Sequence, residues 1–408
     1  MMVGGVRSWP DDGKFEAAVS RGSFEHPRLQ GITFDREASG GLLHALGASA
    51  VVFFGRRGTE GVALRCPTRD LGSGAPARYA ELAARRAGNP GLAGLAGLAE
   101  AEWIDRGVQV DGEWWPVIVM ERVEGRTLAN HVEHAVENEP GRLLAAAEDW
   151  LAFVSALGAA DIAHGDLQQD NIFVTPKGQL KAVDLDGVWL PSTAHLPPSE
   201  TGHRHYQHPR RGRTDWGRTT DTFSALVIYA SLRALAADPE LWERYHNGEN
   251  LVFSDNDLAR PGRTSLWDRL SGSSDREVRQ LLPLLRELCD GPADPGCDLT
   301  TLLESHRKAL AEGSTTQVAL TPVGGNDGAE DDGDRWWEEP GQGPVETGGE
   351  WFEAEESRGT TIISTPPVGP AVAPTSHPPR TRPRRRLGRT VLVLAALAVL
   401  IVTLALIS

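Results

Sequence analysis

The chain has 408 residues, 40% of them hydrophobic, and a net charge of −15, a balance that supports a sizeable folded core and argues against non-specific nucleic-acid binding. Much of the acidity is local, because between Asp327 and Glu356 twelve Asp and Glu stand against Arg335 alone. Three cysteines, Cys66, Cys289 and Cys297, lack metal-ligand spacing and read as reduced thiols, which excludes a disulfide framework.

From the start, Met1–Lys14 contains no apolar core, so a cleaved secretory signal is not expected. Val51–Gly55 and Gly61–Arg65 read as the two strands of a hairpin, and Trp115–Glu121 as a third strand. Ala77–Ala87 reads as a helix, as does Arg142–Leu157, where Leu143, Ala147, Trp150, Leu151 and Val154 recur at helical spacing. Ile172–Val174 and Leu180–Val183 flank a Lys-Gly turn as short strands, and Thr219–Ala236 reads as a longer, more apolar helix. Strands come first and helices later, so the expected fold class is α+β, two-lobed, with any nucleotide between the lobes.

Beyond residue 312 the pattern changes. Residues 313–379 are rich in Gly, Pro, Ser, Thr, Asp and Glu without hydrophobic period, the composition of a disordered tether. Trp336–Trp337 and Trp351–Phe352, set among acids, resemble two copies of a short acidic-aromatic element. Residues 380–389 carry six arginines, and residues 390–407 run without a charge for eighteen residues, about 27 Å as a helix at the standard rise. This predicts one C-terminal transmembrane helix, with the basic flank and the folded part on the cytoplasmic side of the cell membrane. The expected boundaries are a lead segment at 1–39, a folded domain at 40–312, and then the linker, basic stretch and span.

The segment His164-Gly-Asp-Leu-Gln-Gln-Asp-Asn171-Ile-Phe-Val, with Asp184 thirteen residues after Asn171 in Val-Asp-Leu-Asp-Gly, carries the chemistry. It resembles the H-x-D-x-x-x-x-N and Asp-Phe-Gly elements of the protein kinase superfamily. In detail the chain is most similar to divergent bacterial serine/threonine kinases, sharing Val-Asp-Leu-Asp-Gly, Tyr-Gln-His-Pro and the short lead Trp9-Pro10. The resemblance covers roughly residues 40–312. It implies a kinase fold that uses ATP and Mg2+, with Asp166 as catalytic base and Asn171 and Asp184 as metal ligands.

The same resemblance assigns the other parts. Ala45–Val52 takes the place of the phosphate-covering loop, where Gly47 is the glycine retained and Val52 follows it. Arg65 in Val-Ala-Leu-Arg stands where a lysine bridges the phosphates and a helix glutamate, for which Glu81 is the candidate. Arg65 then either binds phosphate bidentately or only forms an ion pair across the lobe. Glu121 and Val123 lie in the hinge that would receive adenine. Gln168 replaces a lysine near the transferring phosphate, and Asp186 replaces the motif glycine as either an extra metal ligand or a turn residue. Asp221 is placed to brace the catalytic loop, and Gly202–Pro209 to close the activation segment. Gly165 stands in place of an arginine that reads a phosphorylated activation loop. Histidines 203, 205 and 208 form either a substrate-positioning segment or a metal or anion site.

Three functions follow. The first is a membrane-anchored kinase acting on Ser or Thr of a cytoplasmic protein, with a homodimer allowed and no nucleic-acid partner. The second is a pseudokinase scaffold, suggested by Arg65, Gln168 and the loop alanines. The third is a small-molecule phosphotransferase, suggested by His164-Gly-Asp.

Overall fold

The computed structural model describes residues 8–22 and 24–313. Its N-terminal part is an antiparallel sheet of β1 (Thr33–Phe34), β2 (His44–Leu46), β3 (Ala50–Arg57), β4 (Glu60–Pro67), β5 (Ala101–Val110) and β6 (Glu113–Glu121). The strand order is β1-β3-β4-β6-β5, with β2 also paired to β3. The predicted hairpin is β3–β4, in register Val52↔Arg65 and Gly55↔Val62. Side chains alternate across such a sheet. Val51, Phe53, Val62, Leu64, Cys66, Val117 and Val119 therefore enter one core, and Val52, Phe54, Ala63 and Arg65 point to the other face.

The outer core is closed by α1 (Asp12–Arg21). Asp11 caps this helix by accepting from the Lys14 N–H at 2.8 Å, and Gly22, at φ +68°, ends it. Phe15, Ala18 and Val19 lie on one face and are fully buried against the sheet, and the Trp9 ring meets Trp115 at 5.1 Å. Burial of Phe15 alone is worth roughly 1.5–3 kcal/mol. The described part of the expected lead segment therefore packs on the sheet of the folded domain. One short helix presenting three apolar positions is too weak a pattern to read from sequence.

On the opposite face lies α2 (Ala75–Gly88), which packs on β5 through Tyr79 and Leu82, followed by α3 (Ala93–Ala96). After residues 122–125 the chain enters a mainly helical lobe. It comprises α4 (Leu128–Asn138), α5 (Arg142–Ala159), α6 (Thr222–Ala237) and, among the described residues, five further helices between Glu240 and Ala311. A small antiparallel sheet, β7 (Arg126–Thr127), β8 (Ile172–Val174) and β9 (Leu180–Ala182), lies at its upper edge. Helix α6 is the centre of this lobe. Thirteen of its sixteen residues are buried, which is why its sequence is apolar without a clear period. The Trp150 indole of α5 donates to the Ala225 carbonyl of α6 at 2.9 Å and locks the two helices together.

The architecture is mixed α+β, with an antiparallel sheet followed by helices. Among the described residues no helix is long and apolar enough to cross a membrane. The expected linker, the acidic-aromatic elements, the basic stretch and the span at 390–407 lie outside the described residues.

Candidate active site

The loop after α5 is fixed from below. Asp221, immediately before α6, accepts the backbone N–H groups of His164 and of Gly165, the latter at 2.8 Å. Burial raises the Asp221 pKa, and the His164 ring and those two N–H groups pull the other way. The His164 ring is wholly buried, donating from Nε2 to the Val183 carbonyl at 2.9 Å and accepting the Asp166 N–H at Nδ1. It thereby ties the loop to the strand that leads to Asp184. Gly165 is held at φ +85°, and a Cβ there would lie 2.2 Å from the Gly187 carbonyl oxygen and 2.8 Å from the Trp216 ring. The arginine that the kinase resemblance would put at this position has no room here.

Asp166 is 7% exposed and its carboxylate is oriented by three donors. Oδ1 accepts the His203 N–H at 2.7 Å, and Oδ2 accepts Asn171 Nδ2 at 3.0 Å and Gln168 Nε2 at 3.2 Å. Asn171 Nδ2 also donates to the Asp166 carbonyl at 3.0 Å, which leaves the amide oxygen as its outward-facing acceptor. Asp184 adopts φ +59°, ψ +73°, a left-handed conformation that costs a non-glycine residue roughly 1–3 kcal/mol. Its Oδ1 is buried, accepts no hydrogen bond and faces Arg65 Nη2 at 3.2 Å. Burial raises the Asp184 pKa; Arg65 opposes this, and Asp186 and Asp166 add repulsion.

Those observations fit a divalent cation. Asp184 Oδ1 has only the Arg65 ion pair, and with Asp166, Asp186 and Glu200 close by the site carries surplus negative charge that a divalent cation would balance. Among the described residues no three His, Cys, Asp or Glu side chains are placed to hold a metal alone. Asn171 and Asp184 could instead offer a sparse ligand set of the kind that suits Mg2+, a cation that keeps waters and takes phosphate oxygens as its remaining ligands.

Arg65 is the second centre, 4% exposed. Nη1 donates to Asp186 Oδ2, and Nη2 donates to Ser49 Oγ of the turn between β2 and β3 at 3.0 Å. The Tyr79 hydroxyl of α2 donates to the other Asp186 oxygen at 2.7 Å. Burial disfavours the Arg65 charge, yet Asp184 and Asp186 outweigh it and raise the pKa. The expected bridge to Glu81 is not formed. Glu81 accepts from Arg85 Nε at 2.9 Å, one turn further along α2, and also bonds Ser192. The physical reason is that Asp186 already supplies the anion on the buried side of Arg65.

At the hinge, Glu121 pairs with Lys181 of β9 and its N–H donates to the Glu100 carbonyl at 2.7 Å, while the Arg122 N–H donates to Gly61. Val123 packs with Ala99 and Phe173, and Val52 with Ala45, Phe54 and Ala63, so apolar side chains stand on both sides of the hinge. Gly47 makes the tight turn between β2 and β3, its N–H donating to the Ala50 carbonyl at 2.9 Å.

Sequence reasoning did not single out Ser49, Tyr79 or Glu200. Glu200 Oε1 is buried without a hydrogen bond, and burial, followed by repulsion from Asp184, Asp166 and Asp186, holds its pKa well above the carboxylate range. No local motif marks these residues, which approach the site only through the fold. The histidine cluster does not form a metal site. His205 Nδ1 accepts the Asp255 N–H at 2.9 Å while its Nε2 faces Glu249 without a hydrogen bond, and His208 spans the Arg210 N–H and the Leu288 carbonyl; among the described residues no three such side chains converge on one point.

No family model matches the chain. A protein of Oryza sativa subsp. japonica described as a putative cyclin-dependent kinase F-2 is 34% identical over 127 residues. The match covers 29% of this chain and 38% of that protein, so the chain spans well under half of the relative's length. This similarity supports a relationship to the protein kinase superfamily. The pairing of Asp166 with Asn171 and of Asp184 with Arg65 is compatible with that relationship.

Proposed function

We propose that the protein is an ATP- and Mg2+-dependent protein kinase that transfers the γ-phosphate to Ser or Thr of a cytoplasmic protein, anchored in the cell membrane by residues 390–407. One observation supports this most: Asp166 is oriented by three donors beside Asn171 and an Asp184 oxygen that lacks a hydrogen bond. Asp166 takes the proton of the acceptor hydroxyl as its oxygen bonds to the γ-phosphorus and the bond to ADP breaks. Asn171 and Asp184 would hold Mg2+, which neutralises charge on the phosphates. Arg65 supplies fixed positive charge beneath the phosphate-covering loop, and Val52 and Val123 bound the base.

The test is phosphoryl transfer from labelled ATP by the full-length chain, with phosphosites mapped by mass spectrometry and Asp166→Asn as control. Phosphate on Ser or Thr, lost in that variant, supports the reading. For the anchor, deletion of residues 387–408 is expected to move the protein from washed membranes to the soluble fraction.

A second reading, a membrane-tethered pseudokinase scaffold, is favoured by the engagement of Arg65 with Asp186 and Asp184. Nucleotide-independent melting together with no transfer would select it.

A further inference from the structure

We infer that Asp186 is the positioning residue for Arg65, so that the phosphate-side cation is anchored by the segment carrying Asp184 and not by a glutamate of α2. The inference rests on the kinase reading above and concerns how its cation is held.

The guanidinium of Arg65 is a planar fork whose donors must all be met once it is buried. Nη1 donates to Asp186 Oδ2 and Nη2 to Ser49 Oγ, while Asp184 Oδ1 lies 3.2 Å from Nη2 as an ion-pair partner without a hydrogen bond. Arg65 and Asp186 are 5% and 1% exposed at their side chains, a degree of burial at which an unpaired charge is not tolerated. Glu81, the only acid of α2, is spent on Arg85 and Ser192 and makes no ion pair with Arg65. What α2 contributes is the neutral Tyr79 hydroxyl, which holds Asp186 and not the arginine.

The two departures from the kinase pattern explain each other. An arginine is longer than a lysine, and the aspartate sits one short turn beyond Asp184, within Leu185–Gly187. The anion has moved from a helix across the cleft to the floor beside the metal-binding aspartate. Both Asp186 oxygens are engaged, one by Arg65 and one by Tyr79, whereas Asp184 Oδ1 accepts no hydrogen bond and is the oxygen left for a cation. Asp186 therefore acts through Arg65. Because Arg65 also holds Ser49, the same ion pair sets the height of the phosphate-covering loop above Asp184. In this protein the position of the cation follows the Asp184–Gly187 segment, and the charge on α2 is dispensable.

A double-mutant cycle on the full-length chain tests this, using Arg65→Ala, Asp186→Asn and both together, with Glu81→Gln alongside. The readouts are the KM for ATP, the Mg2+ midpoint and the melting temperature. Asp186→Asn is expected to raise the KM for ATP by about tenfold in the Arg65 background and by less than about twofold in the Arg65→Ala background, the non-additivity of contacting residues. Glu81→Gln should leave that KM within about twofold of wild type, and the double variant should melt above Arg65→Ala, since it relieves the stranded Asp186 charge. A KM change in Glu81→Gln equal to that in Asp186→Asn overturns the inference. So does a weakened Mg2+ midpoint on adding Asp186→Asn to Arg65→Ala, which would make Asp186 a metal ligand. If Asp186→Asn does not fold, the Glu81→Gln result and the melting of the double variant still decide. Absence of ATP binding and transfer in the wild type is a separate outcome that removes the kinase reading and this inference together.

Discussion

The backbone N–H of His203 donates to Asp166 Oδ1 at 2.7 Å, joining the 202–209 loop to the aspartate proposed as the base. The carboxylate is thus fixed by main chain on one oxygen and by the Asn171 and Gln168 amides on the other. Such a group is pre-aimed, and its pose does not depend on a bound nucleotide.

Asp166→Asn should therefore lower transfer by about 10²–10⁴-fold, the usual contribution of a general base, while ATP affinity stays within about twofold. Asp184→Asn should instead weaken nucleotide binding only when Mg2+ is present. Isothermal titration of both variants with and without Mg2+ separates the two roles, and equal loss of ATP binding in both would contradict the assignment.

Gly165 is expected to be intolerant of any side chain. Its φ of +85° and the 2.2 Å approach of the Gly187 carbonyl mean that Gly165→Ala meets backbone, which cannot swing aside as a side-chain tip can. A loss of about 2–3 kcal/mol in unfolding free energy is expected, from strain at a left-handed site plus the clash. Gly165→Arg should be worse still. Chemical denaturation of the two variants checks this, and a Gly165→Arg protein of wild-type stability would show that the loop can rearrange.

Arg65→Lys keeps a charge but not the fork. A single ammonium cannot reach Asp186, Ser49 and Asp184 in the same geometry, so the melting temperature should fall and the KM for ATP rise. Arg65→Ala leaves Asp186 buried without its cation and should cost about 3–5 kcal/mol. Differential scanning calorimetry ranks the three proteins, with wild type expected highest and the alanine variant lowest.

Much of this was legible in the sequence because the relevant signals are local. The β3–β4 hairpin, α2 and α5 follow from alternation and helical spacing, and Asp166, Asn171 and Asp184 follow from one short motif and its interval. Helix α6 starts three residues later than its apolar run suggests, since Thr219 and Thr220 make turn contacts before Asp221. What was not legible depends on contacts distant in sequence. Arg65 and Asp186 are 121 residues apart, and Tyr79 and Asp186 are 107 apart, so no window contains either pair. Glu81 is singled out in the sequence only by its place in α2. Its side chain is claimed by Arg85 at i+4, a local pairing that outcompetes a distant one when the distant cation already has an anion. α1 escaped notice because its three buried residues acquire meaning only against the sheet they cover.

His208 makes the stability of the fold sensitive to acid. Its ring lies under the loop that carries His203, against the Phe223 ring at 5.2 Å, with Nε2 donating to the Leu288 carbonyl at 2.9 Å and Nδ1 accepting the Arg210 N–H at 3.0 Å. One nitrogen must donate and the other must accept, so only the neutral ring satisfies both partners. Burial, together with the nearby Arg210 charge, lowers the pKa to about 4, although the Leu288 bond works the other way. In the unfolded chain the group titrates near 6.5, so between that value and about 4 the unfolded state binds a proton that the folded state does not. Stability is therefore full above pH 6.5 and falls as pH drops towards 4, by about 3 kcal/mol from this residue at most. Other groups titrate in the same window, so the quantity to measure is the difference between wild type and His208→Gln. Urea unfolding at pH 7.5, 6, 5 and 4.5 should show the variant less stable at the high end, where it loses a shape-matched neutral ring, and progressively closer to wild type as the pH falls. A difference that is constant across the series would mean that His208 is protonated in the folded protein, and that its backbone partners have moved.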